Sequence, residues 1–475
     1  MAALLLCTGV SLLPVPSTAA AAFPNTVTLR NYFKVGTDSL TFNRPVSVKP
    51  YPNEDSAFIV VQQSGQILTV RWNGTAWRRT DTATVTVLAG TSGIDEQGLL
   101  GFTFHPDFLT NHKYYIYYVG GTASARGDII AERTAGSSLR PATSDAQRTI
   151  LRISDPYDNH NSGTILFDQE GYLLFGIGDG GTTSGDPQNR AQNTDSLLGK
   201  FLRFDVNGAD AFPSDTARNY AIPATNPFVN MAGYKPEIWA YGARNPWKWT
   251  LNPETGTVWV GDVGQDTWEK VTRVPKGANL GWRFREGPVC FNPTTNCPSD
   301  GILFPDLSLR DSIATAIIGG TFFHAVPGTP FAGSYIFGDH GTSRIWAVRV
   351  EGDSLIDSTL TRIGTLNKPV SFDRDRQGRV LVTTISPSVG FGISSNVGRV
   401  LVLESPDMVP TALTYRPQRS AVGSGSFRMD ERRSHPERFR IFGLDGREIL
   451  GTPAGTFLVI EKANPAHRTL MTALW

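Results

Sequence analysis

The chain has 475 residues and a formal net charge of +1, with no long run of one sign. That balance excludes the electrostatic footprint of a nucleic-acid binder or of a protein held on an anionic membrane. Charged residues make up 18 %, below the usual quarter, while 48 glycines and 31 prolines suit many short strands joined by turns, in one large domain plus a small one.

Taken in chain order, the first element is the apolar stretch Met1–Pro14, followed by the small-residue region Ser17–Phe23. Residues 1–22 are expected to be a signal peptide, although a basic n-region is missing. No later stretch is long and apolar enough to span a bilayer. Cleavage near Ala22 leaves two cysteines, Cys290 and Cys297, at the ends of a turn-rich loop. A disulfide there fits an exported protein, and two cysteines with no nearby histidine cannot close a zinc site. The expected location is therefore secreted or cell-surface.

Strand-like runs follow, often entered by glycine: Gly65–Val70, Lys113–Tyr118, Gly171–Gly176, Gly256–Gly261, Gly333–Gly338 and Gly378–Thr383. β-Branched and aromatic enrichment points to an all-β array. Six irregular units of this size fit a six-bladed β-propeller better than a sandwich, with the extra residues gathered as loops on the face where propellers place their sites. The propeller is expected over 23–405. Glu404–Pro410 and Arg416–Ser426 read as linker, placing it at 406–430. Residues 431–475 are expected to form a small β-sandwich-like module. There Phe439–Ile449 puts an Asp-Gly turn between two short strands, and Pro453–Ile460 adds another.

Four segments carry the chemistry: Asp95–Phe108; Asp158-Asn-His-Asn-Ser-Gly163 with Gly176-Ile-Gly-Asp-Gly-Gly181; Gly185–Asp205; and Pro236–Trp247 with Gly261–Glu269 and Asn279–Trp282. Imidazole titrates near neutral pH, so His160, among small and polar residues at the mouth of a strand, is placed to move protons. An isolated histidine more often ties down a loop; here the neighbouring motifs favour chemistry. His105 is expected to cap a turn with Asp107. The tryptophans between 239 and 282 are expected to be mostly blade packing, with stacking on a sugar as the alternative. Asp205–Asp210 reads as a surface turn before a calcium loop, because a distal glutamate is missing.

Together these segments resemble the soluble glucose/sorbosone dehydrogenase family, which includes pyrroloquinoline quinone (PQQ)-dependent sugar dehydrogenases, over about residues 30–404. The resemblance implies a six-bladed propeller, a sugar substrate, an external electron acceptor, and PQQ and calcium as cofactors. By position it implies His160 as general base and Arg244 as the guanidinium that stabilises charge on the reduced quinone. It places Asn245 and Glu96 beside the cofactor, and the carbonyls of Gly264 and Gln265 on calcium. The stretches matching the family's basic anchors for the cofactor carboxylates offer Arg344 and Lys368, neither in clean register. Lys270 stands where related sequences often carry an acid, against a second calcium site. The tail resembles a C-terminal sorting domain of type IX secretion, which implies the secretion machinery as a partner. The sequence thus reads as an exported quinone-dependent dehydrogenase that oxidises an aldose at C1 to the lactone. The alternative from another class is a propeller of the same family that binds carbohydrate or protein without turnover. A lactonase would need converging metal-binding carboxylates, which the sequence does not display.

Overall fold

The computed structural model describes residues 23–24, 27–36, 38–88, 96–182, 184–323, 329–385 and 397–408, together with the backbone of three strands near the C-terminus. The expected signal peptide and most of the expected linker lie outside the described residues.

Six four-stranded antiparallel sheets follow one another along the chain as the blades of a propeller. Blade 1 runs Pro45–Tyr51, Glu54–Gln62, Gln66–Trp72, Trp77–Thr84; blade 2 runs Leu99–Phe104, Lys113–Thr122, Ala125–Thr134, Ala146–Ser154. Blade 3 is built from Ile165–Phe167, Leu173–Ile177, Lys200–Phe204 and Ile238–Tyr241, and blade 4 from Pro246–Leu251, Val258–Asp262, Trp268–Val274 and Leu307–Arg310. Blade 5 contains Ile317–Phe323, Ser334–Asp339, Arg344–Glu351 and Ser354–Thr365. Blade 6 takes Pro369–Arg374, Val380–Thr384 and Arg399–Glu404, and its outermost strand is the N-terminal Thr28–Asn31, paired Thr28 to Glu404 through Asn31 to Leu401. The ring is thereby closed by the two ends of the propeller sequence, with Arg30 ion-paired to Glu404 at 2.5 Å.

Each of the six runs seen in the sequence is a strand, and five of the six are the second strand of their blade. Strands this deep in a propeller are covered on both faces, so they read as unbroken apolar runs. An apolar cluster fills each of the six interfaces between neighbouring blades; Tyr115, Tyr117 and Phe175, for example, join blades 2 and 3.

The innermost strands share one device. In five of six, the ladder slips at the second residue: Val46, Leu100, Trp247, Ile318 and Val370 are each the extra residue of a β-bulge. A bulge leaves one residue unpaired and re-aims its side chain. Proline opens three of these strands, at Pro45, Pro246 and Pro369, where a first-residue proline costs no ladder bond.

The longer insertions lie in blades 3 and 4. One of them, between Val274 and Leu307, holds the disulfide Cys290–Cys297, with Cα atoms 5.5 Å apart. A boundary between Gln418 and Arg419 separates a second compact unit. Its described part is one three-stranded antiparallel sheet in the order Phe439–Gly443, Gly455–Glu461, Asn464–Ala473. The Asp445-Gly446 turn lies outside the described residues. No helix among the described residues is long and apolar enough to cross a membrane.

Candidate active site

The base of the site is a strained loop. Between blades 2 and 3 the chain passes through His160 and Ser162, both buried and both with positive φ, 60° and 63°. Such a conformation costs free energy in a non-glycine residue and persists only when surrounding contacts dictate it. The backbone N–H of His160 donates to Glu96 Oε2 at 2.8 Å, and the amide of Asn245 donates to both Glu96 oxygens at 3.2 and 3.0 Å. Glu96 therefore ties the histidine loop to the start of blade 4. The loop's other two residues, Asn161 and Ser162, are completely buried.

His160 Nδ1–H donates to Asp179 Oδ1 at 2.6 Å. Asp179 is the aspartate of the Gly-Asp-Gly-Gly turn, and its other oxygen accepts from Trp282 Nε1 at 2.7 Å. Burial opposes ionisation of Asp179. The adjacent imidazole, its hydrogen bond, the Arg244 charge and the Gly181 N–H outweigh that and hold the carboxyl below its ordinary value. The arrangement fixes the tautomer that leaves Nε2 as the proton acceptor. The sequence carries Asp179 and Trp282 within its motifs but no signal for these contacts, the tryptophans between 239 and 282 reading as mostly packing.

Asp262, at the end of the second strand of blade 4, accepts the backbone N–H groups of Arg244 at 3.1 Å and Asn245 at 2.7 Å. It is also ion-paired to the buried Lys270 at 3.3 Å. The Arg244 guanidinium donates to Gln265 Oε1 at 2.8 Å and to the Val263 carbonyl at 3.2 Å, with its centre 5.5 Å from the Trp282 ring. The loop after Asp262 winds around Glu286, whose Oε1 accepts the N–H groups of Gln265, Asp266, Thr267 and Trp268. The Gly185–Asn193 segment braces the site from behind. Arg190 donates to the Asp179 carbonyl at 3.0 Å and Gln192 to the Trp282 carbonyl at 2.6 Å. Lys200, pushed down to about 7 by burial, holds that segment through the carbonyls of Arg190, Ala191 and Leu198.

Beside this cluster an axial cavity of ≈ 130 Å³ opens. Four bulge residues, Val46, Trp247, Ile318 and Val370, give it apolar walls, while Glu96, Asn245, Arg44, Gln63 and His340 supply its polar groups. Arg44 is buried, donates from Nε to Gln63 Oε1 at 2.7 Å, and was missed in the sequence. A signal for it existed: Arg44-Pro-Val-Ser47 in blade 1 repeats as Lys368-Pro-Val-Ser371 in blade 6, and both basic residues have φ of 49°. Arg44 and Lys368 thus occupy equivalent positions in adjoining blades. Burial first, then the Lys368 and Arg44 charges, hold His340 below the ordinary imidazole value, against the Pro369 carbonyl and Asp339.

Of the expected site residues, the structure brings His160, Arg244, Asn245, Glu96 and Gln265 into one hydrogen-bonded group with Asp179, Asp262 and Trp282. Gly264 lies on the same loop. Lys368 flanks the cavity through His340 and does not line it. Arg344 is not brought in; its guanidinium donates to the carbonyls of Ser312 at 3.3 Å and Ile313 at 2.6 Å. His105 caps its turn as expected, accepting from Asp107 N at 2.9 Å, and Asp205 caps its own turn through the N–H groups of Asn207 and Gly208. Among the described residues no group of three or more His, Cys, Asp or Glu is placed to hold a metal.

Known proteins resemble the chain in sequence and fold. The sequence model of the glucose/sorbosone dehydrogenase family matches residues 42–382. The HIPL1 protein of Arabidopsis thaliana is 33 % identical over 308 residues, 53 % of this chain and 44 % of that protein. The aldose sugar dehydrogenase YliI of Escherichia coli is 30 % identical over 189 residues, 39 % of this chain and 46 % of that one. The human Hedgehog-interacting protein is 26 % identical over 272 residues, 53 % and 35 % of the two chains. The chain thus spans less than half the length of each of these relatives. Among solved structures, the PQQ-bound form of an aldose sugar dehydrogenase from Streptomyces coelicolor superimposes with a TM-score of 0.58 at 21 % identity, covering 80 % of this chain and 99 % of that one.

Proposed function

The chain belongs to the glucose/sorbosone dehydrogenase family, and from that membership we propose that it is an exported oxidoreductase that oxidises the C1 hydroxyl of an aldose to the lactone. The observation that carries the reading is the Asp179–His160 pair held against Arg244 and Asn245 through Glu96 and Asp262. A binding scaffold needs no oriented proton acceptor beside a guanidinium. In the proposed step the substrate's O–H proton goes to His160 Nε2, the C1–H leaves as hydride, and the C–O bond becomes C=O. Asp179 stabilises the imidazolium that forms, and Trp282 keeps Asp179 from rotating away.

The residues present fit a flat carboxylated cofactor. The apolar bulge residues would line its rings, Arg44 would face a carboxylate, and Asn245, next to Arg244, would supply a polar contact. For calcium, the carbonyls of Gly264 and Gln265 accept no hydrogen bond from a described residue, leaving two oxygens of the type a hard cation takes. What bound PQQ and calcium supply is a two-electron hydride acceptor with a polarised carbonyl. The test is direct: with PQQ and calcium added, the purified protein should reduce a redox dye when offered an aldose. Chelation should abolish the signal and calcium should restore it, magnesium poorly, because magnesium demands tighter octahedral geometry. Full activity in excess chelator would remove calcium from the account.

A second reading is a propeller that binds carbohydrate or protein without turnover. It is favoured by Arg344, which is engaged away from the cavity, and by the likeness to a Hedgehog-interacting protein. PQQ binding without dye reduction for any aldose would support it.

The C-terminal unit is proposed as the sorting module of type IX secretion. A chain ending at Ser405 should then keep its dye reduction yet fail to reach the surface of a host that uses that pathway. Normal export, or an insoluble truncated chain, would refute the assignment.

A further inference from the structure

Directly beneath the His160 loop lie two carboxyls with no use in the reaction above. Asp128, from the third strand of blade 2, and Asp155, just past the fourth, are 1 % and 3 % exposed. Asn161, the residue after His160, is wholly buried and bridges them: its Nδ2 donates to Asp155 Oδ2 at 3.0 Å and reaches Asp128 Oδ1 at 3.4 Å. Tyr117 O–H stands 2.6 Å from Asp128 Oδ1 and 2.5 Å from the Asn161 carbonyl. Tyr157 N–H donates to Asp155 Oδ1 at 3.1 Å. Among the described residues neither carboxyl forms an ion pair, and Asp128 Oδ2 is buried without a hydrogen-bond partner. Two anions cannot sit together unpaired in such a place, whereas a single proton between them satisfies the orphaned oxygen and removes the repulsion.

We propose that Asp128 and Asp155 share one proton and, through the side chain of Asn161, act as the positioning pair that holds the His160 loop in its left-handed turn. Neither touches substrate. The charged and titratable groups facing the pair are Tyr117 from the second strand of blade 2, Arg152 from its fourth strand, and Arg190 from the bracing segment of blade 3. Glu96 acts on Tyr117 from further away. Burial, then the Asp128 charge, push the Asp155 carboxyl up from the ordinary 3.8 to about 9. Its folded-state value is raised, so the folded protein holds a proton that the unfolded chain releases. The stabilisation is complete below the ordinary value and is lost as pH rises through the raised one. Ionisation of the second carboxyl should then loosen the loop that presents the base.

The sharing of the proton stands apart from the proposed oxidation; only its effect on turnover rests on that reading. The test is Asp155→Asn, which keeps a donor at that position and removes the titration. Thermal midpoints of the full chain should fall with rising pH in the wild type and fall less in the variant, so the two curves diverge toward alkaline pH. Parallel curves would overturn the proposal. If the variant does not fold, Asp128→Asn removes the same proton from the other side. Infrared spectra of the wild type near neutral pH must in any case show a protonated carboxyl band that is absent at high pH; no such band would also overturn it. In the dye assay, wild-type kcat should decline on the alkaline side at constant KM, and Asp155→Asn should flatten that decline. Diverging stability curves with no sugar oxidation at all would refute the proposed function and leave the shared proton standing.

Discussion

Replacing His160 by asparagine is expected to lower sugar turnover by about 10²–10⁴, the usual worth of a general base, with KM changed only a few-fold. Asparagine is the substitution to make, because the position has a φ of 60° and asparagine tolerates the left-handed region where alanine adds strain. A loss measured with this variant therefore reports the missing imidazole. Steady-state kinetics with the best aldose decide the matter: wild-type turnover in His160→Asn would make the histidine a loop anchor. Asp179→Asn should fall between the two, since the base remains but its preferred tautomer and its counter-charge are lost.

The second large effect is expected at Gly178. A Cβ placed there would lie 2.1 Å from the His160 carbonyl oxygen and 2.8 Å from that of Arg244. Both obstacles are backbone, so neither can rotate aside. Gly178 is the point where the base loop and the guanidinium segment pinch together, and Asp179 N–H completes the contact by donating to the Arg244 carbonyl at 2.9 Å. Gly178→Ala should destabilise the propeller by about 1–3 kcal/mol or more, in the range of an overpacked core, and should lower activity beyond what stability explains. Denaturant unfolding measures the first and kinetics well below the transition the second. Gly136→Ala is the control: a Cβ there meets nothing within 4 Å, and its unfolding midpoint should barely move. Equal behaviour of the two variants would show that the pinch is not there.

How much of this was legible in the sequence follows from where each signal is stored. The blades were legible because a strand covered on both faces must be apolar along its length, and glycine marks its entry. The mark shifts in blade 1, where Gly65 precedes the third strand, because the second strand opens with Glu54-Asp-Ser56 and hides its apolar half. His160, Arg244 and Asn245 were legible through a family pattern. Glu96 was legible the same way, but the contacts among these residues and their partners were not, because each joins distant positions: Glu96 to Asn245 spans 149 residues and Trp282 to Asp179 spans 103. Glu286 escaped for a different reason, since it binds four backbone N–H groups, and backbone has no letter in a sequence. Arg44 was readable after all. The repeated Pro-Val-Ser that follows it and Lys368 marks two blades in register, but a four-residue repeat spaced by more than 300 residues is visible only once the ring tells which blades adjoin.

The closure of that ring has a consequence for how the protein comes into being. Thr28 and Glu404 are hydrogen-bonded across 376 positions, so the strand of the propeller that is made first is the last to find its neighbour. Until Arg399–Glu404 has been made, blade 6 has no partner for Thr28–Asn31, and the chain carries five finished sheets with an open edge at each end. Contacts of such separation give slow folding and a long exposure of unpaired edges. For the export proposed above, which threads a chain through a membrane in extended form, the delay would be useful: a circle that cannot shut during synthesis would leave the polypeptide open to translocation until the last blade is complete.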